Sequence, residues 1–132
     1  MARKKNETAT TLTKAEEQVM QAVWNLGKGF AGEIADAVDE PKPAYRTVLT
    51  EIRILEQKGF VGHQELGGNN QYYPLVSKAE YSGRMLGTLM DNYFGGSYRQ
   101  LVSFFMADKN IGREDLDALA KIIEEKRKEV QS

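Results

Sequence analysis

TKAEEQVMQAVWNLGKGFAGEIADAVDEPKPAYRTVLTEIRILEQKG, residues 13–59, reads as three short helices closing on a glycine. The third decides the reading. It runs to Lys58 and stops at Gly59, with an apolar stripe of Tyr45, Val48, Leu49, Ile52 and Leu55 for a core. At about 100° per residue, Arg46, Thr50, Arg53 and Gln57 fall together on the other side, with Thr47 and Ile54 at its flank. Arginine forks onto guanine O6 and N7, and threonine offers a hydroxyl and a methyl to base edges or phosphates. A small helical unit with such a face is what a DNA major groove accepts. An ordinary solvated amphipathic helix would carry similar residues, so the order of the neighbouring elements carries the argument.

The first helix opens on Thr13-Lys14-Ala15-Glu16, a hydroxyl followed three residues on by a carboxylate, which is capping-box spacing. Val19, Met20, Val23 and Trp24 form its apolar face, and Gly27 and Gly29 are expected to end it. Phe30 to Val38 reads as a second helix with Ile34, Ala35 and Val38 inward. Asp39 to Pro43 is turn chemistry, and Pro43 suits the first turn of the next helix. Beyond Gly59, Phe60–Glu65 and Gln71–Leu75 are strand-like runs, joined by a Gly67-Gly68-Asn69-Asn70 hairpin turn. Pro74 marks the second run as an edge strand. Three helices and a two-stranded wing make a winged helix–turn–helix. Its expected DNA-facing residues are Lys42, Arg46, Thr47, Thr50, Arg53, Asn69 and Asn70.

The pattern changes at Ser77, where Ser77-Lys78-Ala79-Glu80 repeats the capping-box spacing. Leu86, Leu89, Met90 and Tyr93 follow at helical intervals, and Gly95-Gly96 stops that helix. Ser97 can cap the next, which carries Leu101, Phe104 and Phe105. The last helix, after Gly112, turns Leu116, Leu119, Ala120 and Ile123 inward. It has an acidic first turn (Glu114, Asp115), and Lys126, Arg127 and Lys128 are expected in its last turn, matching the helix dipole. Three such helices make a poor independent core, so they are expected to pack on a second copy. The contacts would be Leu86, Leu89, Met90, Tyr93, Leu101, Phe105, Leu116, Leu119 and Ile123.

The expected fold is therefore mainly α with a small β-hairpin. A flexible basic arm, residues 1–11, precedes a winged-helix domain, residues 12–76, and a helical dimerisation domain, residues 77–132. The arm carries Arg3, Lys4 and Lys5 and reads as a solvated tail before it reads as a minor-groove contact.

Composition narrows the function. The chain has 132 residues and no cysteine, which excludes disulfides, thiolate metal sites and cysteine nucleophiles. The single histidine, His63, leaves no partners for a zinc site or a histidine triad, and it reads as a strand surface residue before a pH sensor. Asp115/Asp117 and Glu124/Glu125 point apart on a helix and read as solvated surface. No enzyme, metal or cofactor is expected. No apolar run approaches the ~20 residues of a membrane helix, and no signal peptide is visible, so the expected compartment is the cytoplasm. Net charge is −1 and the isoelectric point about 5.9. Residues 1–76 hold nine Lys/Arg against ten Asp/Glu. DNA binding must then rest on where the cations sit, with modest non-specific affinity. The balance also keeps open a rival reading, a winged-helix module that binds protein and not DNA.

From Leu12 to about Lys126 the chain resembles the penicillinase and methicillin-resistance repressor family, which also includes copper-responsive members. The segments that carry this are LTKAEEQVMQAVW (12–24), YRTVLTEIRILEQKGFV (45–61), QYYPLVSKAEY (71–81) and LMDNYFGGSYRQLVSFF (89–105). The resemblance implies a dimeric repressor of a palindromic operator. It implies release by proteolysis in the C-terminal domain, triggered through a membrane sensor for β-lactam antibiotics and its linked protease. Arg46, Thr47 and Thr50 fall on the family's Arg-Thr-x-x-Thr recognition positions. The chain departs from the family at Pro43 and Ala44, where a polar or basic pair is common, and at Glu51, where arginine is common. The family's cleaved Asn–Phe bond corresponds here to Phe104–Phe105. The cysteine-rich tail of the copper-responsive branch has no counterpart.

Overall fold

A computed structural model describes residues 11–131; the basic arm expected over residues 1–11 lies, but for Thr11, outside them. Helix α1, Lys14–Leu26, begins as its sequence dictates. The Thr13 hydroxyl accepts the Glu16 N–H at 3.2 Å and the Glu16 carboxylate accepts the Thr13 N–H at 2.9 Å, closing the capping box. Gly27, at φ +80°, ends the helix. Gly29 does not belong to that stop. It pairs with Tyr72 while Phe30 pairs with Gln71, making a two-residue strand β1, Gly29–Phe30. The second helix accordingly starts one residue late, as α2, Ala31–Ala37, with Ile34 and then Val38 buried.

Helix α3, Tyr45–Gln57, starts after Ala44, so Pro43 stands outside its first turn. Its far end is a Schellman closure. The Phe60 N–H donates to the Leu55 carbonyl at 2.9 Å and the Gly59 N–H to the Glu56 carbonyl at 3.0 Å, with Gly59 at φ +84°. This reversal sends the Phe60 side chain, fully buried, into the core beside Met20, Ile34, Ile52 and Leu55.

The wing is β2, Val61–Leu66, and β3, Asn69–Pro74. Gly67 and Gly68 alone form the turn, at φ +59° and +84°, the two left-handed positions of a type I′ hairpin. Asn69 and Asn70 are therefore the first residues of β3 and not part of the turn. Strand order is β1-β3-β2, so β3 is central and not the edge strand that Pro74 implied. Pro74 is tolerated because it pairs with Val61 at the end of the strand, beyond the short reach of β1.

The chain divides into two compact units, one ending at Ser82 and one beginning at Gly83. Tyr81 belongs to the first. Its hydroxyl accepts the Leu12 N–H at 3.1 Å, and its ring lies 5.9 Å from Trp24 and 5.5 Å from Phe60, centroid to centroid. The Trp24 indole in turn donates to the Val76 carbonyl at 2.8 Å. The second unit is built from the rest of α4, Lys78–Tyr93, with α5, Tyr98–Met106, and α6, Arg113–Gln131. The Ser77 and Ser97 hydroxyls accept N–H groups of Glu80 and Gln100, as serine caps do. Helix α6 runs farther than its basic triplet implied. Its last turn holds Lys128 alone, while Lys126 and Arg127 pair with Glu129 and Glu124.

A part-buried ion pair ties the start of α1 to the end of α3. Glu16 is 4% exposed, and its carboxylate receives the Lys58 ammonium at 2.6 Å. Lys58 also donates to the Thr11 carbonyl at 3.2 Å. Burial pushes the Glu16 carboxyl up, but the Lys58 hydrogen bond, the Thr13 N–H and the Lys58 charge together outweigh it. The net shift is downward from the ordinary 4.5. A carboxyl lowered on folding stabilises the fold above about pH 4.5 and loses that contribution as pH falls through its folded value. Glu16→Gln is expected to cost about 1–3 kcal/mol at neutral pH and to flatten the acid limb of the stability curve. Urea unfolding of both proteins between pH 3 and 7 checks this; parallel acid limbs would refute it.

Candidate nucleic-acid interface

The outward side of α3 is open. Arg46, Thr47, Thr50 and Arg53 are all exposed, while Val48, Ile52 and Leu55 on the opposite side are buried. Neither guanidinium has an ion-pair partner among the described residues. Both are therefore available for an anion or a base edge. The Thr50 hydroxyl donates to the Arg46 carbonyl at 3.1 Å. Its proton is spent inside the helix, so Thr50 offers outward a methyl group and an acceptor lone pair. Ala44, at the N-cap, has no side-chain acceptor, so the first N–H groups of α3 are not satisfied by a cap. The positive end of the helix dipole sits there, beside Arg46.

The other expected residues fall in two places. Asn69 and Asn70 are exposed at the tip of the wing. Lys42 lies ahead of α3, and its ammonium donates to the Asp36 carbonyl at the end of α2, so it is held back against its own chain. Glu51 is half-buried. His63 is on the strand surface, but its Nδ1 meets the Glu56 carboxylate at 2.5 Å, joining β2 to α3. Its ring lies 5.9 Å from Tyr72.

Tyr45 departs from expectation. Its azimuth on α3 is that of the core, yet it is 53% exposed. As the first residue of the helix it has no turn before it to carry packing neighbours. It lines instead a cleft shared with the wing. The missed signal was position: a core azimuth at a helix end is not a core place.

In the second unit the apolar faces are largely open. Leu86, Leu89, Tyr93, Leu116 and Ile123 are exposed in the single chain, and Leu101, Phe105 and Leu119 half-buried. Met90 is already covered, at 4%. Leu89, Tyr93, Phe94, Leu101, Phe104 and Phe105 line an apolar groove of about 640 Å³. The Phe104 ring meets Phe94 edge-on at 5.6 Å and is still 71% exposed. The Phe104–Phe105 bond stands on α5, with Phe104 exposed and Phe105 half-buried in the single chain. Among the described residues no helix is long and apolar enough to cross a membrane.

Comparison with known proteins gives a consistent picture. The family model for the penicillinase repressor matches residues 12–125. The methicillin resistance regulatory protein MecI of Staphylococcus aureus is 23% identical over 116 residues, covering 87% of this chain and 94% of that protein. The penicillinase repressor of Bacillus licheniformis is 21% identical over 115 residues, covering 86% and 90%. Among solved structures, an ArsR-like transcriptional regulator from Rhodococcus sp. RHA1 superposes with a TM-score of 0.52 at 10% identity, over 84% of this chain and all of that one. That likeness speaks for the winged-helix fold alone.

Proposed function

The chain belongs to the penicillinase repressor family of winged-helix transcriptional repressors, which are not enzymes, and from that premise we propose that it binds a palindromic operator as a homodimer. The observation that carries this reading is the open side of α3. Arg46 and Arg53 stand there with no ion-pair partner among the described residues, beside Thr47 and Thr50, on the helix that this fold lays in the major groove. Asn69 and Asn70 at the wing tip reach toward the flanking backbone, and two-fold symmetry repeats both contacts on a second half-site. The near-neutral charge makes each head a weak binder, so pairing through α4, α5 and α6 supplies the avidity.

Release, in the same proposal, is loss of pairing and not loss of recognition. Cutting at Phe104–Phe105 separates α6 from α4, and the trigger is a β-lactam or another cell-envelope signal relayed by a membrane sensor-linked protease. The exposure of Phe104, in the last turn of α5, supports access, because helix ends fray readily.

Footprinting on the DNA upstream of its own gene tests the reading. Two symmetric protected half-sites are expected, about one helical turn or a multiple apart. Affinity should fall with salt at a shallow slope, since few phosphates are neutralised. Binding without sequence preference at any salt would overturn it in favour of a protein-interaction module.

A further inference from the structure

Helix α4, Lys78–Tyr93, is held near each end and bare between. Tyr81 is buried in the head, with its hydroxyl on Leu12, and Met90, a residue of the second unit, is buried as well. Every residue from Ser82 to Leu89 is exposed in the single chain, so more than two turns of the helix lack packing on any side. The boundary between the two compact units falls inside this span, between Ser82 and Gly83.

The residues of the span weaken a helix. Gly83 and Gly87 stand about one turn apart, and a Cβ on either would meet no atom within 4 Å, so no packing inside the chain requires glycine there. Neither has a positive φ, so no turn requires it. Glycine inside a helix costs backbone entropy, and Ser-Gly pairs such as Ser82-Gly83 are places where helices bend. The Thr88 hydroxyl donates to the Arg84 carbonyl at 3.2 Å, a back-bond that competes with the helix ladder and favours bending. The glycines lie beside the proposed pairing stripe and not in it: Gly83 and Gly87 stand about 60° and 100° round from Leu86, on the side away from Leu89 and Tyr93. Pairing would hold α4 from Leu86 onward and leave Ser82 to Met85 without support.

We infer that Ser82–Thr88 is a flexible joint, and that Gly83 and Gly87 determine how far the spacing of the operator's half-sites can vary. Moving a half-site by one base pair shifts it by about 3.4 Å and turns it by about 35° around the duplex. A stiff α4 would fix the two heads of a dimer at one separation and lose one half-site after such a change. A joint lets each head turn on its own and keep its grip. The spacing role rests on the operator-binding reading; the joint does not.

The test compares the full chain with its Gly83→Ala/Gly87→Ala variant. Alanine fits the open space at both positions and favours the helix, so the pair should lower the bent population by about 5–30-fold. In NMR relaxation of the wild type, head amides should report a shorter rotational correlation time than amides of α5 and α6. In the variant the two values should converge. Gel shifts then use operators with the half-sites at native spacing and one base pair nearer or farther. The spread of affinities across the three should widen in the variant by the same factor of about 5–30. Sedimentation should show equal association for both proteins. Equal correlation times in the wild type, or a difference that the variant leaves unchanged, would overturn the joint. A variant that no longer associates where the wild type does would show that the glycines seat a partner helix, and would overturn it too. An unchanged spread of affinities would overturn the spacing role. If the chain binds no operator, the spacing role falls with the operator reading, and relaxation still decides the joint.

Discussion

Replacing Leu116 and Ile123 together by glutamate is expected to leave a folded monomer whose operator affinity is lower by about 10²–10⁴-fold. Both side chains are exposed on α6 in the single chain, so the change removes no core of that chain. In the proposed dimer the same positions become a buried interface, where unpaired carboxylates are strongly disfavoured. The head has its own core, from Val19 and Met20 through Ile52, Leu55 and Phe60 to Tyr81, and should unfold at an unchanged temperature. The loss in affinity is the loss of tethering: without a partner, the second half-site contact is no longer intramolecular. A chain cut between Phe104 and Phe105 should behave alike, since it gives up the same stripe of α6. Sedimentation at micromolar concentration and a gel shift on the operator check both. A double variant that stays dimeric, or a monomer that holds the operator with wild-type affinity, would sink the proposed pairing and with it the release mechanism.

Arg46→Ala should lower specific binding by about 1–3 kcal/mol, roughly 5–150-fold, if the guanidinium forks onto a guanine. The side chain is exposed near the N-terminus of α3 and has no ion-pair partner among the described residues, so the effect on folding should be small. Non-specific binding should fall far less, because one phosphate contact at most is removed. Lys42→Ala is the comparison. Its ammonium is already engaged by the Asp36 carbonyl, so its loss should weaken operator binding less than the loss of Arg46. Equal operator affinity for Arg46→Ala and wild type, measured at one salt concentration, would mean that another face of the head reads the DNA.

The parts of the fold legible in the sequence were those settled within one turn of chain. Thr13 and Glu16 close their box three residues apart, Ser97 caps α5 in the same way, and Gly59 allows the left-handed turn that ends α3. Gly67-Gly68 likewise announces a hairpin before any partner is known. The alternation of buried and open sides along α3 follows from helical geometry, which is why Arg46, Thr47, Thr50 and Arg53 could be placed together from their numbers. The resemblance over residues 12–126 and the family match over 12–125 cover the same ground.

Other features depend on residues that meet only when the chain has folded. Two residues, Gly29 and Phe30, carry no strand signal, and they pair because β3 presents a free edge more than forty positions later. The same event makes β3 central in spite of Pro74. Glu16 reads as a capping residue from its neighbours alone; its ion pair needs Lys58, 42 positions away. Tyr81 follows a helix start that suggests a separate unit, yet its hydroxyl closes on Leu12, 69 positions back. Tyr45 has the azimuth of a core residue and the surroundings of a cleft. Local rules act through the backbone within a few residues, so sequence alone determined the caps, the turns and the sides of α3. Pairing, burial and the cleft beneath the wing depend on what packs from far along the chain, and only the tertiary structure decided them.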